Sequence, residues 1–153
     1  MEALSVMVQR EDFSVDAEND QMLRQSQIIG AVANFVGVVR VSNENSTVTS
    51  MQLEYYPGMT EKSILRVLQE AQQRWHLTAA RVIHRIGHLL PGDNIVYVGV
   101  ASEHRHAAFD ACAYIMDYLK QQAPFWKKEI TTNGARWVEA RQADATAARR
   151  WSE

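Results

Sequence analysis

Only one cysteine, Cys112, occurs in the chain, which excludes an intrachain disulfide and any multi-cysteine metal site. Proline is scarce too, at three in 153 residues. Nowhere do Pro, Gly and Ser collect into a linker, and no internal repeat or low-complexity tract interrupts the sequence. At this length the expectation is one domain over residues 1–153. A run of about 18 apolar residues is absent, as is an N-terminal basic stretch followed by an apolar core. The chain is therefore expected to be cytoplasmic. An excess of one charge is also missing: 16 Lys and Arg face 18 Asp and Glu, a formal net charge of −2. Such a chain has no global basic field to draw nucleic acid, so any anion site is local. Catalytic signatures are missing as well. There is no Gly-rich phosphate loop, no Gly-x-Ser-x-Gly elbow and no cysteine–histidine pairing with triad logic. His76, His84 and His88 fall on separate elements without ligand spacing, so neither a metal nor a resident cofactor is expected.

What is present is material for a core, with 46% hydrophobic residues. Ser14 to Gln25 reads as a short helix, with Ser14 as N-cap and Asp16 and Glu18 near its positive end. Ile28 to Val39 is strand-like and interrupted by Gly30 and Gly37, and Val48 to Tyr55 alternates apolar and polar residues with one slip near Ser50. Between them, Ser42-Asn43-Glu44-Asn45-Ser46 reads as a polar loop. Pro57 opens a helix to about Trp75, with Ile64, Leu68, Ala71 and Trp75 at helical spacing. Arg81 to Ile86 is a strand, Gly87 to Gly92 a turn, and Asn94 to Ala101 a nearly all-apolar strand expected at the centre of a sheet. Glu103 to Gln122 is the long helix, with Ala108, Cys112, Ile115 and Leu119 on its buried stripe. Phe125 to Ile130 and Arg136 to Val138 make a hairpin around Thr132-Asn133-Gly134, and Asp144 to Trp151 a terminal helix. Strands and helices mix without strict alternation, and hairpins imply antiparallel pairing. The expected class is α+β: a mixed, mainly antiparallel sheet, a long packed helix and a β-hairpin subdomain.

The stretch from Ile115 to Glu129 carries the most chemistry. It reads as a helix end, a break at Pro124 and an aromatic-basic run, with Lys120 and Lys127 on either side of the break. A lysine crowded by aromatics and other cations loses hydration, and this is how a lysine becomes a base or a nucleophile. The competing reading is a pair of solvated surface charges at a helix end. His104 and Arg105 open the long helix, whose free N–H groups and dipole favour an anion such as phosphate. Arg40 ends a strand after Gly37, where a ligand can approach closely. With Lys128 and Arg141, these residues form a cationic set without an obvious carboxylate base. Such a set binds an anionic substrate and stabilises negative charge developing on it. Cys112 on an apolar helix stripe reads as a buried structural thiol. By themselves these residues fit a catalytic pocket, a phosphate- or nucleotide-binding regulatory module, or an adaptor that only docks a partner.

Several segments, in order, resemble the large, catalytic subunit of molybdopterin synthase, the MoaE family. They are Phe35-Val36-Gly37-Val38-Val39-Arg40, Leu53-Glu54-Tyr55-Tyr56-Pro57-Gly58-Met59, His84-Arg85-Ile86-Gly87 with Pro91-Gly92-Asp93, and Met116-Asp117-Tyr118-Leu119-Lys120 through Pro124-Phe125-Trp126-Lys127. Ser102-Glu103-His104-Arg105 and Arg136-Trp137-Val138-Glu139-Ala140-Arg141 also fit, so the likeness runs from about Gly30 to Trp151. Val38 is a departure, standing where some relatives are expected to carry Lys in a Gly-Lys-Val-Arg run.

The resemblance implies a hammerhead-like fold and conversion of cyclic pyranopterin monophosphate to molybdopterin. Two dithiolene sulfurs would come from the C-terminal thiocarboxylate of a small ubiquitin-like partner ending in Gly-Gly. It implies Lys120 and Lys127 as the catalytic pair, and substrate contacts from Val38, Val39, Arg40, His104, Arg105, Lys120, Lys127, Lys128, Glu129 and Arg141. Helix geometry adds a constraint. His104 and Lys120 lie 16 residues apart on one expected helix, roughly 24 Å along its axis, farther than one pyranopterin spans. The expectation is a homodimer with two composite sites, within a heterotetramer that includes the small partner.

Overall fold

The computed structural model describes residues 2–138 and 142–152. In chain order the elements are β1 (Leu4–Gln9), α1 (Val15–Leu23), β2 (Ala31–Val38), β3 (Ser42–Asn43), β4 (Ser46–Tyr55), α2 (Met59–Trp75), β5 (Ala79–Arg85), β6 (Gly87–Leu89), β7 (Asn94–Ser102), α3 (Arg105–Gln122), β8 (Phe125–Thr131), β9 (Gly134–Val138) and α4 (Gln142–Arg149). They form an α+β fold with two sheets, one in the order β1-β5-β7-β2 and one in the order β3-β4-β8-β9, with β6 also on β4. All pairings are antiparallel except β1 with β5.

β7 is flanked by β5 and β2, and its run of apolar residues is explained by cover on both faces. Val96, Val98 and Val100 join Ile64, Leu68 and Ala71 of α2 and Ala108, Ala111 and Ile115 of α3 in the main core. On the other face Ala101 meets Met22 of α1, and the fully buried Tyr97 donates its hydroxyl to Asn19 at 2.8 Å. The expected cap holds, with Ser14 Oγ accepting the Ala17 N–H at 3.2 Å. The slip expected near Ser50 is a bulge in β4, and β2, expected to be interrupted at Gly37, runs through it with a bulge between Gly37 and Val38. A smaller core of Val39, Val48, Met51, Leu53 and Leu89 fills the second sheet.

Two segments depart from the sequence reading. Leu4–Gln9 is a strand, parallel to β5 some 75 residues away; its partner is invisible to any local pattern. Gly87–Leu89, expected as a turn, pairs with Leu53–Met51. Gly87 takes a φ of +85°, which glycine adopts without strain, and so turns β5 out of the first sheet and β6 onto the second.

Two close contacts fix the ends of α3. A Cβ on Gly30 would overlap the backbone carbonyl of Glu103, so only glycine lets the start of β2 lie against the corner that opens α3. At the other end, Thr60 of α2 is fully buried, donates its hydroxyl to the Pro124 carbonyl at 3.0 Å and accepts the Tyr56 N–H at 3.0 Å. Among the described residues no helix is long and apolar enough to cross a membrane.

Candidate active site

The two sheets and the C-terminal end of α3 line a half-open cavity of about 430 Å³. α3 supplies Met116, Leu119 and Lys120, and β8 supplies Phe125, Lys127 and Glu129. The helix ends at Gln122, with Ala123 already extended at φ −76° and ψ 124°. An extended residue before Pro124 is what proline sterics favour. β8 then begins at once, and its period of two aims Phe125, Lys127 and Glu129 into the cavity and turns Trp126 and Lys128 outward. Lys120 and Lys127 therefore share one cavity, walled by Phe35, Met51, Leu53 and Phe125.

Glu129 is a carboxylate in this cationic cavity, and it is only 2% exposed. Burial of a charge at such a depth is tolerable only with partners. Asn43 Nδ2 donates to both of its oxygens, at 2.9 and 3.1 Å, and Arg136 Nη2 lies 3.4 Å from one of them. The same Arg136 nitrogen donates to the Asn43 carbonyl at 2.8 Å. Asn43 Oδ1 in turn accepts from Arg40 Nη2 at 3.3 Å. Glu129 thus serves to hold Asn43, and Asn43 to hold the guanidinium of Arg40 at the cavity wall.

The expected site residues divide clearly. Val38, Arg40, Lys120, Lys127 and Glu129 line the cavity. Val39 is 2% exposed and belongs to the smaller core. Lys128 lies on the outer face of β8 with its ammonium 5.7 Å from the Trp137 ring. Trp126, expected beside Phe125 as a barrier to water at Lys127, is 48% exposed on that outer face. His104 caps α3 and Arg105 begins it, at the far end from Lys120, and both are solvent-exposed and apart from the cavity of this chain. Arg141 lies outside the described residues.

Among the cavity residues absent from the expected site are Asn43, His84, Met116 and Asp144. Asn43 sits in what reads as a loose polar loop yet is 6% exposed. His84 was considered only as a metal ligand. Its imidazole stacks on Phe125 with ring centroids 3.8 Å apart and planes 18° from parallel. Burial, and then the positive charge of Lys120, push it down from the ordinary value of 6.5 to about 4, against the opposing effect of a hydrogen bond with the Arg85 carbonyl. The ring is neutral at physiological pH. Cys112 is buried in the main core, and burial pushes its thiol up to about 11.

The model of the MoaE protein family matches residues 8–122. The molybdopterin synthase catalytic subunit of Vibrio cholerae is 57% identical over 146 residues, covering 95% of this chain and 97% of its own. The chain belongs to the MoaE family. The solved MoaE protein of Burkholderia ambifaria is similar with a TM-score of 0.85 at 45% identity, over 98% of this chain and 99% of that one. Likeness of fold alone extends, at 18% identity and a TM-score of 0.71 over 92% of each chain, to the protein–protein complex of subunits 1 and 2 of molybdopterin-converting factor from Helicobacter pylori. MoaE membership makes this chain an enzyme of molybdenum cofactor biosynthesis, of the class that transfers sulfur in forming molybdopterin.

In this MoaE chain the neutral His84 has a measurable consequence for stability. Its neighbours around the cavity are Lys120 of α3, Lys127 and Glu129 of β8, Asp144 of α4 and Arg40. An unfolded chain protonates this imidazole near 6.5, whereas the folded chain resists down to about 4. The unfolded state therefore binds more protons across that window, and stability falls as pH drops through it, by about 3 kcal/mol in all. Urea unfolding measured between pH 7 and 4 should give a shallower loss for His84→Phe than for the parent chain. Parallel losses in the two proteins would contradict the assignment.

Proposed function

We propose that this chain, in the cytoplasm and as one domain, binds cyclic pyranopterin monophosphate in the cavity and installs the two dithiolene sulfurs of molybdopterin. The observation that carries the reading is the convergence of Lys120, Lys127 and Arg40 in one apolar-walled cavity. Of the two carboxylates that line the cavity with them, Glu129 is already engaged by Asn43 and Arg136. Positive charge there can meet a phosphate and the negative charge that develops in acyl-sulfur chemistry. One lysine promotes attack by the thiocarboxylate or holds an imine-type intermediate, and the other stabilises charge at the acyl carbon or delivers protons.

The sulfur comes from outside the chain. Cys112 is the only thiol, and a buried thiol held as S–H is a poor carrier. The donor is the C-terminal thiocarboxylate of a small ubiquitin-like subunit ending in Gly-Gly, thin enough to enter a recessed cavity. The name "catalytic subunit" borne by the Vibrio relative is consistent with a second subunit. The outer face of β8 and β9 suits the body of that subunit, since Trp126 and Trp137 are 48% and 56% exposed there.

Two copies of this chain complete two sites. α3 is one unbroken helix, so His104 and Lys120 of one chain stand roughly 24 Å apart. Among the described residues β2 is paired on one side only, and Phe35 and Phe109 are 41% and 66% exposed. A two-fold contact there brings His104 and Arg105 of one copy toward Arg40, Lys120 and Lys127 of the other, within a heterotetramer.

Three measurements in a reconstituted reaction of pyranopterin with a thiocarboxylated partner test these points. Lys127→Ala should lower turnover by at least ~100-fold with the fold intact, and Lys120→Arg should be nearly as damaging as Lys120→Ala, because guanidinium supplies no neutral amine. Near-normal rates in either folded variant would remove that lysine from the mechanism. A partner lacking its two terminal glycines should still dock but transfer no sulfur; full transfer by the truncated form would sink the tail-insertion idea. Inactive Lys127→Ala and Arg105→Ala chains, mixed with verified subunit exchange, should regain one working site per heterodimer. Absence of recovery would refute the shared site.

A further inference from the structure

Asn43 lines the cavity from a tight hairpin, and it is held more closely than a loop residue needs. β3 and β4 turn through two residues, Glu44 and Asn45, with Asn43 paired to Ser46. Both turn residues take a positive φ, +50° and +63°. Glutamate rarely adopts that hand, and it persists only where the surroundings impose it. Arg136 of β9 braces the turn, donating from Nη2 to the Asn43 carbonyl at 2.8 Å and placing Nη1 3.9 Å from Glu44 Oε2. The Asn43 side chain is buried, and its amide has two unlike ends. Nδ2 donates to both Glu129 oxygens, at 2.9 and 3.1 Å. A carboxylate only accepts, so Glu129 selects the Nδ2 end and leaves Oδ1 pointing the other way. Arg40 Nη2 donates to that Oδ1 at 3.3 Å. Arg40 itself is exposed, beyond the end of β2. A long side chain in such a place has many rotamers unless a partner holds it.

We propose that Asn43 is a positioning residue for Arg40: its amide, oriented by Glu129, aims the guanidinium into the cavity and leaves its charge free for an anionic substrate. The chemistry favours an amide over its alternatives. A carboxylate in its place would face Glu129 as a like charge and would pair with Arg40, cancelling the cation that an anion needs. An aliphatic group would deprive a buried carboxylate of a donor and leave Arg40 without a guide. The amide passes orientation from an anion to a cation and passes no charge. A guanidinium has five N–H donors in a planar fork, and Asn43 accepts from one of them, so a fork remains for two oxygens of an anion. The inference rests on Arg40 contacting the substrate, as proposed above.

Binding of cyclic pyranopterin monophosphate to the purified chain, read by calorimetry, tests the proposal. Asn43→Ala should weaken binding by about tenfold, the scale of one hydrogen bond to a charged group. In the reconstituted sulfur-transfer assay its KM should rise with kcat little changed. In an Arg40→Ala background the same change should cost no more than about twofold. Fully additive losses would overturn the proposal, because Asn43 would then act by a route other than Arg40. Asn43→Ala also strips a donor from the buried Glu129, so a second variant separates the fold from the charge. Asn43→Asp combined with Glu129→Gln reverses donor and acceptor across that pair. Every partner is retained, but the carboxylate now faces Arg40. This double variant should stay folded and bind the pyranopterin more weakly than Glu129→Gln alone, which leaves the Asn43 amide in place. Binding like that of the parent chain, or no weaker than that of Glu129→Gln, would overturn the proposal. Arg40→Ala distinguishes the two levels of failure. If it binds like the parent, Arg40 is no substrate contact and the proposal falls with that part of the functional reading; if it binds weakly while Asn43→Ala is normal, only the Asn43 role falls.

Discussion

Six residues separate Lys120 from Lys127, and within them the chain must stop a helix and start a strand. The whole site depends on how that is done. If α3 continued, Lys127 would follow Lys120 at two helical turns, roughly 10 Å farther along the axis. Pro124 forbids the continuation, because it lacks the N–H and restricts the residue before it. A proline break alone is a hinge, however. It becomes a fixed corner because Thr60, fully buried in the first turn of α2, donates its hydroxyl to the Pro124 carbonyl. The corner then sets the phase of β8. With Phe125 inward, Lys127 and Glu129 are inward too, and Trp126 and Lys128 are left for the outer face.

Three cations converging on one cavity repel one another, and a fold must offset that repulsion without erasing it. Glu129 supplies negative charge, but its geometry limits where the charge acts. Both oxygens accept from Asn43, and Arg136 approaches one of them. Reach toward Arg40 passes through the neutral amide of Asn43, so Arg40 is oriented by a dipole and stays a cation toward the cavity. His84 is neutral for a related reason: burial and the Lys120 charge both oppose a further cation. The cavity thus sets the cations Arg40, Lys120 and Lys127 beside the carboxylates of Glu129 and Asp144, with the rest of its wall neutral or apolar.

Much of this was legible in the sequence, and the exceptions have physical causes. The helical stripe of Ile64, Leu68 and Ala71, the slip near Ser50 and the hairpin at Thr132-Asn133-Gly134 are local signals, and local geometry followed them. β1 was missed because its pairing is parallel and distant. Asn43 was missed because burial of an amide depends on Glu129 and Arg136, 86 and 93 residues further along the chain. Lys128 is a different kind of case. Composition cannot separate Lys127 from Lys128; only the pleat does, and the pleat's phase is decided at Pro124. Val39, just past the end of β2, turns into the smaller core between two residues that line the cavity, Val38 and Arg40.

α3 is the remaining constraint, because it carries chemistry-bearing residues at both ends. Its 18 residues make a rod of about 27 Å, and a rod packed along one side against α2 and β7 cannot bend to bring its ends together. Gly30 against the Glu103 carbonyl pins the first end to β2, and Thr60 on the Pro124 carbonyl pins the second to α2. The dipole makes the two ends different: free N–H groups and Arg105 at the first favour an anion, while the second carries Lys120 into the half-open cavity. A site that needs both kinds of group can draw them from one such helix only across its full length. In the dimer proposed above, a second copy placed antiparallel across the edge of β2 would remove the distance without changing either end.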